Sequence, residues 1–118
     1  MKQKSKKFVI NGGTRGIIYP DHPRGEHTIA KIIMNGTYPV AGYSINQKCS
    51  ETILMLSGIF RVRTNNTIRE IRPGDILVIL PKTKYRVEGR GEALDIITPA
   101  WDKKQNNIVP DKSFTIRP

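Results

Sequence analysis

The feature that most limits how this chain can fold is the rhythm of its turns. Gly, Pro and Asn interrupt the sequence roughly every eight to twelve residues, a spacing typical of all-β domains. Between these turns, "IFRVR" alternates, so that Phe60 and Val62 lie on one face of a strand and the two arginines on the other. Because no segment has the pattern of an amphipathic helix, the sequence predicts an antiparallel sandwich or a barrel that hides its strand edges.

Two segments are continuously apolar, and we predict that both are buried strands. The first is "ETILMLSG", residues 51–58, and the second runs from Ile76 to Leu80. Pro81 ends the second run because its nitrogen has no hydrogen to donate to a strand ladder. The barrel is therefore expected to be built around these two strands.

Asparagine marks two predicted turns. Asn35-Gly36 follows "HTIAKIIM" and is a strong turn signal, so we predict that a strand ends there. Asn65-Asn66 lies between two threonines and suits a two-residue hairpin, because asparagine tolerates the positive φ angles that such turns require.

The length of 118 residues predicts a single domain. The net charge is +10, and four of these charges belong to lysines in residues 1–7, which leaves +6 for the rest. We expect residues 1–7 to be a flexible basic tail and residues 8–118 to be one barrel domain with a C-terminal arm. Cys49 is the only cysteine and no segment reaches membrane-spanning length, so we expect a cytoplasmic protein without a disulfide or a membrane anchor.

The positive charge leaves two kinds of partner open. A basic surface attracts nucleic acid, but the sequence has no zinc-finger spacing, no aromatic RNA-binding motif and no periodic basic helix. The same field would draw small anionic metabolites such as phosphosugars toward a pocket. These absences favour a small-molecule partner over nucleic acid, although charge alone does not separate a small anion from a polymer.

The segments "ETILMLSG", "FRV" and "IRPGDILVILPKTKY" together resemble the two signature segments of the cupins. Glu51, six residues and Gly58 match the end of the first signature, and Gly74-Asp75 matches the turn of the second. Tyr85 stands eleven positions after Gly74, where cupins carry a histidine. The resemblance spans residues 29–98 and implies a cupin-type double-stranded β-helix, which is a jelly-roll barrel.

Many cupins hold a metal ion at four positions, and the resemblance implies where these positions lie here. The commoner spacing places them at Ser44, Asn46, Glu51 and Tyr85, so no histidine is present. A shorter spacing moves the first two positions by one residue, to an isoleucine and a glutamine, and restores neither histidine. Hydroxyl and amide oxygens are poor substitutes for imidazole, so we expect neither a metal nor another cofactor.

Strand alternation places Glu51 on the same face as Ile53 and Met55. If this face is the barrel interior, the carboxylate must hydrogen-bond to Asn46, Tyr85 or an inward cation, since an unpaired buried charge is costly. A polar cluster in an apolar cavity has the form of a small-molecule site. The alternative is that Glu51 marks the wet end of a strand and forms an ion pair at the rim.

Four further residues are candidates for the site. Cys49 precedes Glu51 by two positions and would need a depressed thiol pKa to act as a nucleophile. His22 and His27 lie in a loop that could fold across the barrel opening, or could face solvent. Trp101 is the only tryptophan and could pack over one end of the barrel or stack on a sugar ring. Some small cupins, including proteins labelled mannose-6-phosphate isomerase-like, are similar in the positions equivalent to Asn46, Cys49, Glu51, Tyr85, Trp101 and Gln105.

These residues are compatible with three functions. The first is a metal-independent barrel that binds a small polar or anionic ligand, such as a sugar or sugar phosphate, through Ser44, Asn46, Glu51, Tyr85 and Trp101. The second is a metal-free sugar isomerase or epimerase in which Glu51 is the base and Tyr85 the acid. The third is a basic interaction or nucleic-acid-binding module that uses the N-terminal lysines and the arginines Arg61, Arg63, Arg69 and Arg72.

Family resemblance also implies a homodimer, since small cupins commonly pair through their sheets. Leu54 and Leu56 face away from Glu51 by strand alternation. A second copy, or the second sheet of the same chain, could cover them.

Overall fold

The computed structural model describes residues 4–65 and 67–110, which form an all-β domain. Its strands are β1 (Lys6–Ile10), β2 (Thr14–Ile18), β3 (Thr28–Tyr38), β4 (Tyr43–Asn46), β5 (Ser50–Thr64), β6 (Thr67–Ile71), β7 (Ile76–Ile79), β8 (Lys84–Thr98) and β9 (Asn106–Val109), with a 3-10 turn at Lys103–Gln105. All the strand pairs are antiparallel. Across the described ranges, no helix is long and apolar enough to cross a bilayer.

Two long strands hold the curled sheet together. β5 and β8 each have 15 residues and pair along almost their whole length, from Ser50 opposite Thr98 to Thr64 opposite Tyr85. The other strands join this pair. β8 also belongs to the strand order β1-β2-β3-β8-β4-β9, and β5 also pairs with β6 and β7. The inner faces of these strands therefore enclose one interior.

The signature glycine Gly58 follows the point, between Met55 and Ser57, where β5 changes register against β8. Its φ angle is +75°, a conformation that favours glycine. A Cβ atom at this position would lie 2.1 Å from the carbonyl oxygen of Arg90. The close approach of β5 and β8 explains why the motif has glycine at this position.

The core consists of inward-facing residues from β3, β5, β6, β7 and β8. β5 contributes Ile53 and Met55 before its irregularity and Phe60 and Val62 after it, as strand alternation predicts. The other core residues are Met34, Ile71, Leu77, Ile79, Tyr85, Val87 and Ala93. This packing fills part of the barrel and leaves a cavity beside it.

The turn predicted at Asn35-Gly36 is wrong, because β3 continues through both residues to Tyr38. Their backbones pair with Arg90 and Gly89 of β8. Asn35 also donates its N–H to the carbonyl of Gly13 at 2.8 Å, which brings the β1–β2 turn against β3. Long-range pairing therefore outweighed the local preference for a turn.

The hairpin predicted at the second asparagine pair is confirmed. Thr64 of β5 pairs with Thr67 of β6, and Asn65 has a φ angle of +47°. Asn66 lies outside the described residues.

The second apolar run is a strand, as predicted, but it is buried on one face only. In β7, Leu77 and Ile79 are buried, whereas Ile76 and Val78 are 59% and 52% exposed. Among the described strands β7 pairs with β5 alone, and its outer face is exposed. Only alternate residues therefore reach the core.

The outer face of β5 continues the exposed apolar surface of β7. Leu54 pairs with Ile76 and is half-buried, and Leu56 is 43% exposed. Pairing of two copies through this face remains a prediction.

Both ends of the described chain belong to the sheet. β1 begins at Lys6, inside the predicted tail over residues 1–7, because the backbones of Lys6 and Lys7 pair with β2 while their side chains stay exposed. At the other end, β9 pairs with β4, so the predicted C-terminal arm begins as a strand. Residues 1–3 and 111–118 lie outside the described residues.

Candidate functional site

Glu51 is the charged residue around which the site is built. It lies on β5 between Ile79 of β7 and Ile97 of β8, and only 5% of it is exposed. Its side chain borders a cavity of about 490 Å³ inside the barrel. A carboxylate in this position needs hydrogen-bond donors from the protein, since burial removes those of bulk water.

Two donors meet on a single oxygen of Glu51. Asn46 donates from Nδ2 to Oε2 at 2.5 Å, and Tyr85 donates its hydroxyl to the same atom at 2.6 Å. Burial, and then the charge of Glu51, raises the pKa of Tyr85 well above its usual value, so this phenol remains a donor. The three residues that the sequence brought together therefore form one hydrogen-bonded cluster.

The side-chain amide of Asn46 has one orientation because its oxygen is already engaged. Its Oδ1 accepts from Gln105 Nε2 at 3.0 Å and from Asn106 Nδ2 at 2.9 Å. A carbonyl oxygen has two lone pairs, and both are used here. Nδ2 is consequently the atom that faces Glu51.

Gln105 holds the segment that precedes β5. Its Oε1 accepts from the backbone N–H groups of Lys48 and Cys49, at 3.0 Å and 3.1 Å. Asn106 also donates to Ser44 Oγ at 2.9 Å. The sequence pointed to Gln105 only through family resemblance and did not point to Asn106, because "DKKQNN" has the pattern of a polar loop.

Asp95 is the main site residue that was missed from the sequence. It lies on β8 opposite Ile53, diagonal to Glu51 on the same face of the sheet, and is only 8% exposed. A signal was present, because alternation in "EALDIIT" places Asp95 on the same face as the apolar Ala93 and Ile97. A carboxyl group between two inward apolar residues indicates a buried acid.

Glu51 and Asp95 are neighbouring buried carboxyl groups on the inner face of the barrel. Burial first, and then the charge of Glu51 and a hydrogen bond to it, raises the pKa of Asp95 well above its usual value. The raised pKa favours the protonated form of Asp95 beside Glu51. Its Oδ1 atom is buried and has no hydrogen-bond partner in the described part of the protein. The pair thus combines a group that can accept a proton with a group that can supply one.

A second phenol stands beside the first. The ring centroids of Tyr38 and Tyr85 are 6.2 Å apart, and the Tyr38 hydroxyl lies 3.4 Å from Ser44 Oγ. Burial is the main reason that the pKa of Tyr38 is raised. Both phenols are therefore neutral hydrogen-bonding groups on the cavity wall.

These residues do not fit the transition metal that many cupins hold. Asn46 turns its NH₂ group toward Glu51, and its oxygen is occupied elsewhere. Tyr85 is a neutral phenol that donates to Glu51 rather than offering a lone pair. Nowhere in residues 4–65 and 67–110 do three His, Cys, Asp or Glu side chains converge as a metal site requires.

The cavity brings together part of the predicted binding set. Glu51, Tyr85 and Trp101 border it, whereas Asn46, which donates to Glu51, and Ser44, which accepts from Asn106, are not on its wall. The remaining wall is formed by Phe8, Ile10, Thr14, Ile18, Thr28, Ala30, Ile32, Met34, Tyr38, Ile53, Phe60, Val87, Ala93, Asp95, Ile97 and Lys103. The wall is thus mostly apolar, with its acidic groups gathered on β5 and β8.

The cysteine and the two histidines lie away from this wall. Cys49 is buried, its thiol lies 3.4 Å from the carbonyl of Pro99, and burial is the main reason that its pKa is raised. These properties do not suit a nucleophile. His22 and His27 are half-buried and contact each other edge to face, with ring centroids 5.0 Å apart.

The arginines proposed for a basic surface are partly paired. Arg61 and Arg72 both reach Glu70, at 3.8 Å and 2.7 Å, on the exposed β5–β6 hairpin. Binding of nucleic acid or of another anionic polymer through this hairpin remains a prediction.

Comparison with solved structures identifies the fold. Streptomyces Pac13, a nucleoside dehydratase, has a TM-score of 0.81 and 18% identity, covering 91% of this chain and 86% of that chain. Variants of Pac13 have been solved with uridine. An RmlC-like cupin from Shewanella frigidimarina has a TM-score of 0.70 and 19% identity, covering 85% of this chain and 88% of its own.

A cupin-2 domain from Rhodospirillum rubrum has a TM-score of 0.74 at 8% identity, covering 96% of this chain and 79% of its own. The predicted cupin-type double-stranded β-helix is therefore confirmed, and the protein is a small cupin domain in its fold. No family model and no curated protein matches the chain.

Proposed function

We propose that this protein binds a small hydroxylated ring compound, such as a sugar or a nucleoside, in its barrel and transfers protons on it without a metal ion. The observation that carries the proposal is the buried Glu51–Asp95 pair at the cavity wall. Two donors hold the carboxyl group of Glu51, and burial beside it raises the pKa of Asp95.

The cavity supports a ligand of this kind by its size and by the distribution of its polar groups. Its volume of about 490 Å³ lies within the usual range for small-molecule sites. Glu51, Asp95 and the two phenols are polar groups that can bind several ligand hydroxyls. Trp101 and Phe8 add aromatic surface on the same wall, which suits the face of a ring.

The carboxyl pair supports a complete proton-transfer cycle next to a carbonyl group. Glu51 removes the proton from the carbon beside the carbonyl, the C–H electron pair forms a C=C bond, and the carbonyl oxygen takes the proton of Asp95. Glu51 then returns its proton to the former carbonyl carbon, and Asp95 recovers one from the neighbouring hydroxyl. The net reaction is an isomerisation of an α-hydroxy carbonyl compound, in which atoms and electrons balance.

The comparisons support a ligand that contains a sugar ring. Pac13 acts as a nucleoside dehydratase and its variants have been solved with uridine. Proton removal beside a carbonyl also begins many dehydrations, in which the general acid protonates the departing hydroxyl instead. We therefore propose the acid and base roles of Asp95 and Glu51 for either outcome.

Binding is tested by titrating ribose and uridine into the protein and measuring heat. The wild type is expected to bind at least one of them, and Glu51→Gln is expected to weaken binding because it replaces an anion with a neutral amide. Glu92→Gln is the matched control, since Glu92 lies on the exposed side of β8 and pairs with Lys31. Equal binding by all three proteins would place the site elsewhere.

Catalysis is tested by following deuterium uptake at the carbon beside the carbonyl of ribose in D₂O by NMR. Uptake with the wild type and its loss in Glu51→Gln and Asp95→Asn would support the acid–base roles. Binding without any uptake would reduce the proposal to a binding barrel. Metal analysis of protein prepared without chelator completes the test, because near-stoichiometric transition metal would contradict the metal-free mechanism.

A further inference from the structure

We propose that Thr14 is a second ligand-binding residue, and that the ligand is a two-ring compound of nucleoside type, in which a sugar that carries a carbonyl group is joined to a heterocyclic base, rather than a single sugar ring. The proposal rests on the proposed function and names the ligand class for the same cavity. Thr14 lies on β2, where no sequence motif pointed to it.

The hydroxyl of Thr14 is buried without a partner. The residue is 3% exposed and borders the cavity, and its Oγ1 has no hydrogen-bond partner among the described residues. Such a group is costly in the free protein unless something supplies a partner. The one other unpartnered buried atom on the described cavity wall is Oδ1 of Asp95.

Thr28 provides the internal comparison. It is also a buried threonine on the cavity wall, but its hydroxyl donates to Asp21 at 2.6 Å and accepts from the backbone N–H of Trp101 at 2.8 Å. The fold thus gives the hydroxyl of Thr28 two hydrogen-bond partners and leaves that of Thr14 without one among the described residues. The Thr14 hydroxyl is the candidate for ligand contact.

Strand register sets the separation of the two groups that lack a partner, the Thr14 hydroxyl and the Asp95 carboxyl, which we call the two open groups. Asp95 pairs with Ala30, which pairs with Ile18, so Asp95 lies at the level of Ile18 on β2. Thr14 lies four residues from that level, which corresponds to about 14 Å along the strands. A single sugar ring at the carboxyl pair does not reach across this separation.

On β2, β3 and β8, the level between the two open groups has no side chain that can form a hydrogen bond. The intermediate level consists of Gly16, Ile32 and Ala93. A ligand that fits has hydroxyls at one end, an apolar or flat middle, and a hydrogen-bonding edge at the other end. A pentose joined to a heterocyclic base has this form, and the Thr14 hydroxyl can donate to or accept from the edge of the base.

A trapped water is the competing explanation for the open hydroxyl. A buried water usually has about three polar partners. The paired neighbours of Thr14 are Ile10 and Met34, which offer no polar side-chain atom. The local chemistry therefore favours a ligand atom over a water.

The test compares uridine with ribose on the wild type, Thr14→Val and Thr14→Ser by calorimetry. Thr14→Val removes the hydroxyl and is expected to raise the dissociation constant for uridine by about 3- to 10-fold, the usual effect of one hydrogen bond. Ribose binding is expected to stay unchanged, and Thr14→Ser is expected to keep most of the uridine affinity. The melting temperature of free Thr14→Val should not fall, because no protein hydrogen bond is lost.

Thr28→Val is the matched control, and it is expected to lower the melting temperature because its hydroxyl has two protein partners. Unchanged uridine affinity in Thr14→Val, or an equal loss for ribose and uridine, would overturn the role of Thr14 while leaving the proposed function intact. Failure of the wild type to bind either compound would overturn the proposed function and this inference together.

Discussion

The two sides of Glu51 differ in how completely their polar groups are paired. Behind it, Asn46, Gln105 and Asn106 form a supporting network in which donors and acceptors meet one another. In front of it, facing the cavity, Asp95 and Thr14 each have a buried oxygen without a partner among the described residues. The polar groups of the first side are paired with one another, whereas these two oxygens on the second side are available to a ligand.

The difference separates what stabilises the site from what the site acts on. A satisfied buried network holds its members in one geometry, so Glu51 is positioned before any ligand arrives. An open group costs stability in the free protein and regains it on binding. The following predictions test whether the two sides behave this way.

Breaking the supporting network should have the largest effect on stability. Gln105→Leu leaves the backbone N–H groups of Lys48 and Cys49 unpaired and removes one donor to Asn46, so the free energy of unfolding should fall by about 3 kcal/mol. Urea denaturation measures this change. Gln47→Leu, at an exposed neighbouring position, should change it little, and equal effects would contradict a structural role for the network.

Removing a donor to Glu51 should have the next largest effect. Tyr85→Phe deletes a 2.6 Å hydrogen bond to a buried carboxylate, and a loss of about 2 kcal/mol in the free energy of unfolding is expected. Tyr38→Phe is the control, because its hydroxyl has only a 3.4 Å contact with Ser44. A larger loss for Tyr38→Phe would show that the wrong phenol has been placed in the cluster.

Asp95, on the cavity side of Glu51, should make the free energy of unfolding depend on pH. Its pKa is raised in the folded protein, so between the unfolded and folded values the folded chain binds more protons. Stability should therefore fall as pH rises through this window, with a slope approaching about 1.4 kcal/mol per pH unit. Asp95→Asn should remove the slope and melt higher than the wild type at neutral pH, and the two proteins should converge near pH 4.

A persisting slope in Asp95→Asn would assign the titration to another group. Melting curves recorded from pH 4 to pH 8 in constant ionic strength provide the measurement.

The smallest effect is expected away from both sides. His22→Ala alters a half-buried loop residue outside the cavity wall, so stability should change by about 0.5 kcal/mol or less and ligand affinity should not change. Thermal melting and calorimetry with uridine check this. Loss of binding would mean that the loop over residues 20–27 takes part in the site.

Much of the fold could be predicted because the relevant signals are local. The β5–β6 hairpin follows from asparagine between two threonines, and the inward positions of Phe60 and Val62 follow from alternation. Asn35-Gly36 was misjudged, and the exposure of Ile76 was not predicted, because pairing partners and covering layers, rather than local preference, decided their environment.

Within the candidate site, only the residues at positions of the cupin motif could be predicted. Glu51, Asn46 and Tyr85 meet because their positions follow the cupin pattern. Asp95 and Thr14 belong to no such pattern, and Asn106 comes from a strand that the sequence does not distinguish from a loop. Their participation depends on strand register across the barrel.

The sequence by itself determined the class of fold, the residues that share a strand face with Glu51 and the absence of histidine from the metal positions, since each depends on residue type and spacing along the chain. Only the tertiary structure decided that a second acid lies beside Glu51, that an asparagine amide turns its NH₂ group toward Glu51, and that the hydroxyl of one cavity threonine has no partner among the described residues. These properties depend on which strands lie opposite one another and on whether each buried polar atom finds a partner, and both are set by contacts between residues far apart in the chain.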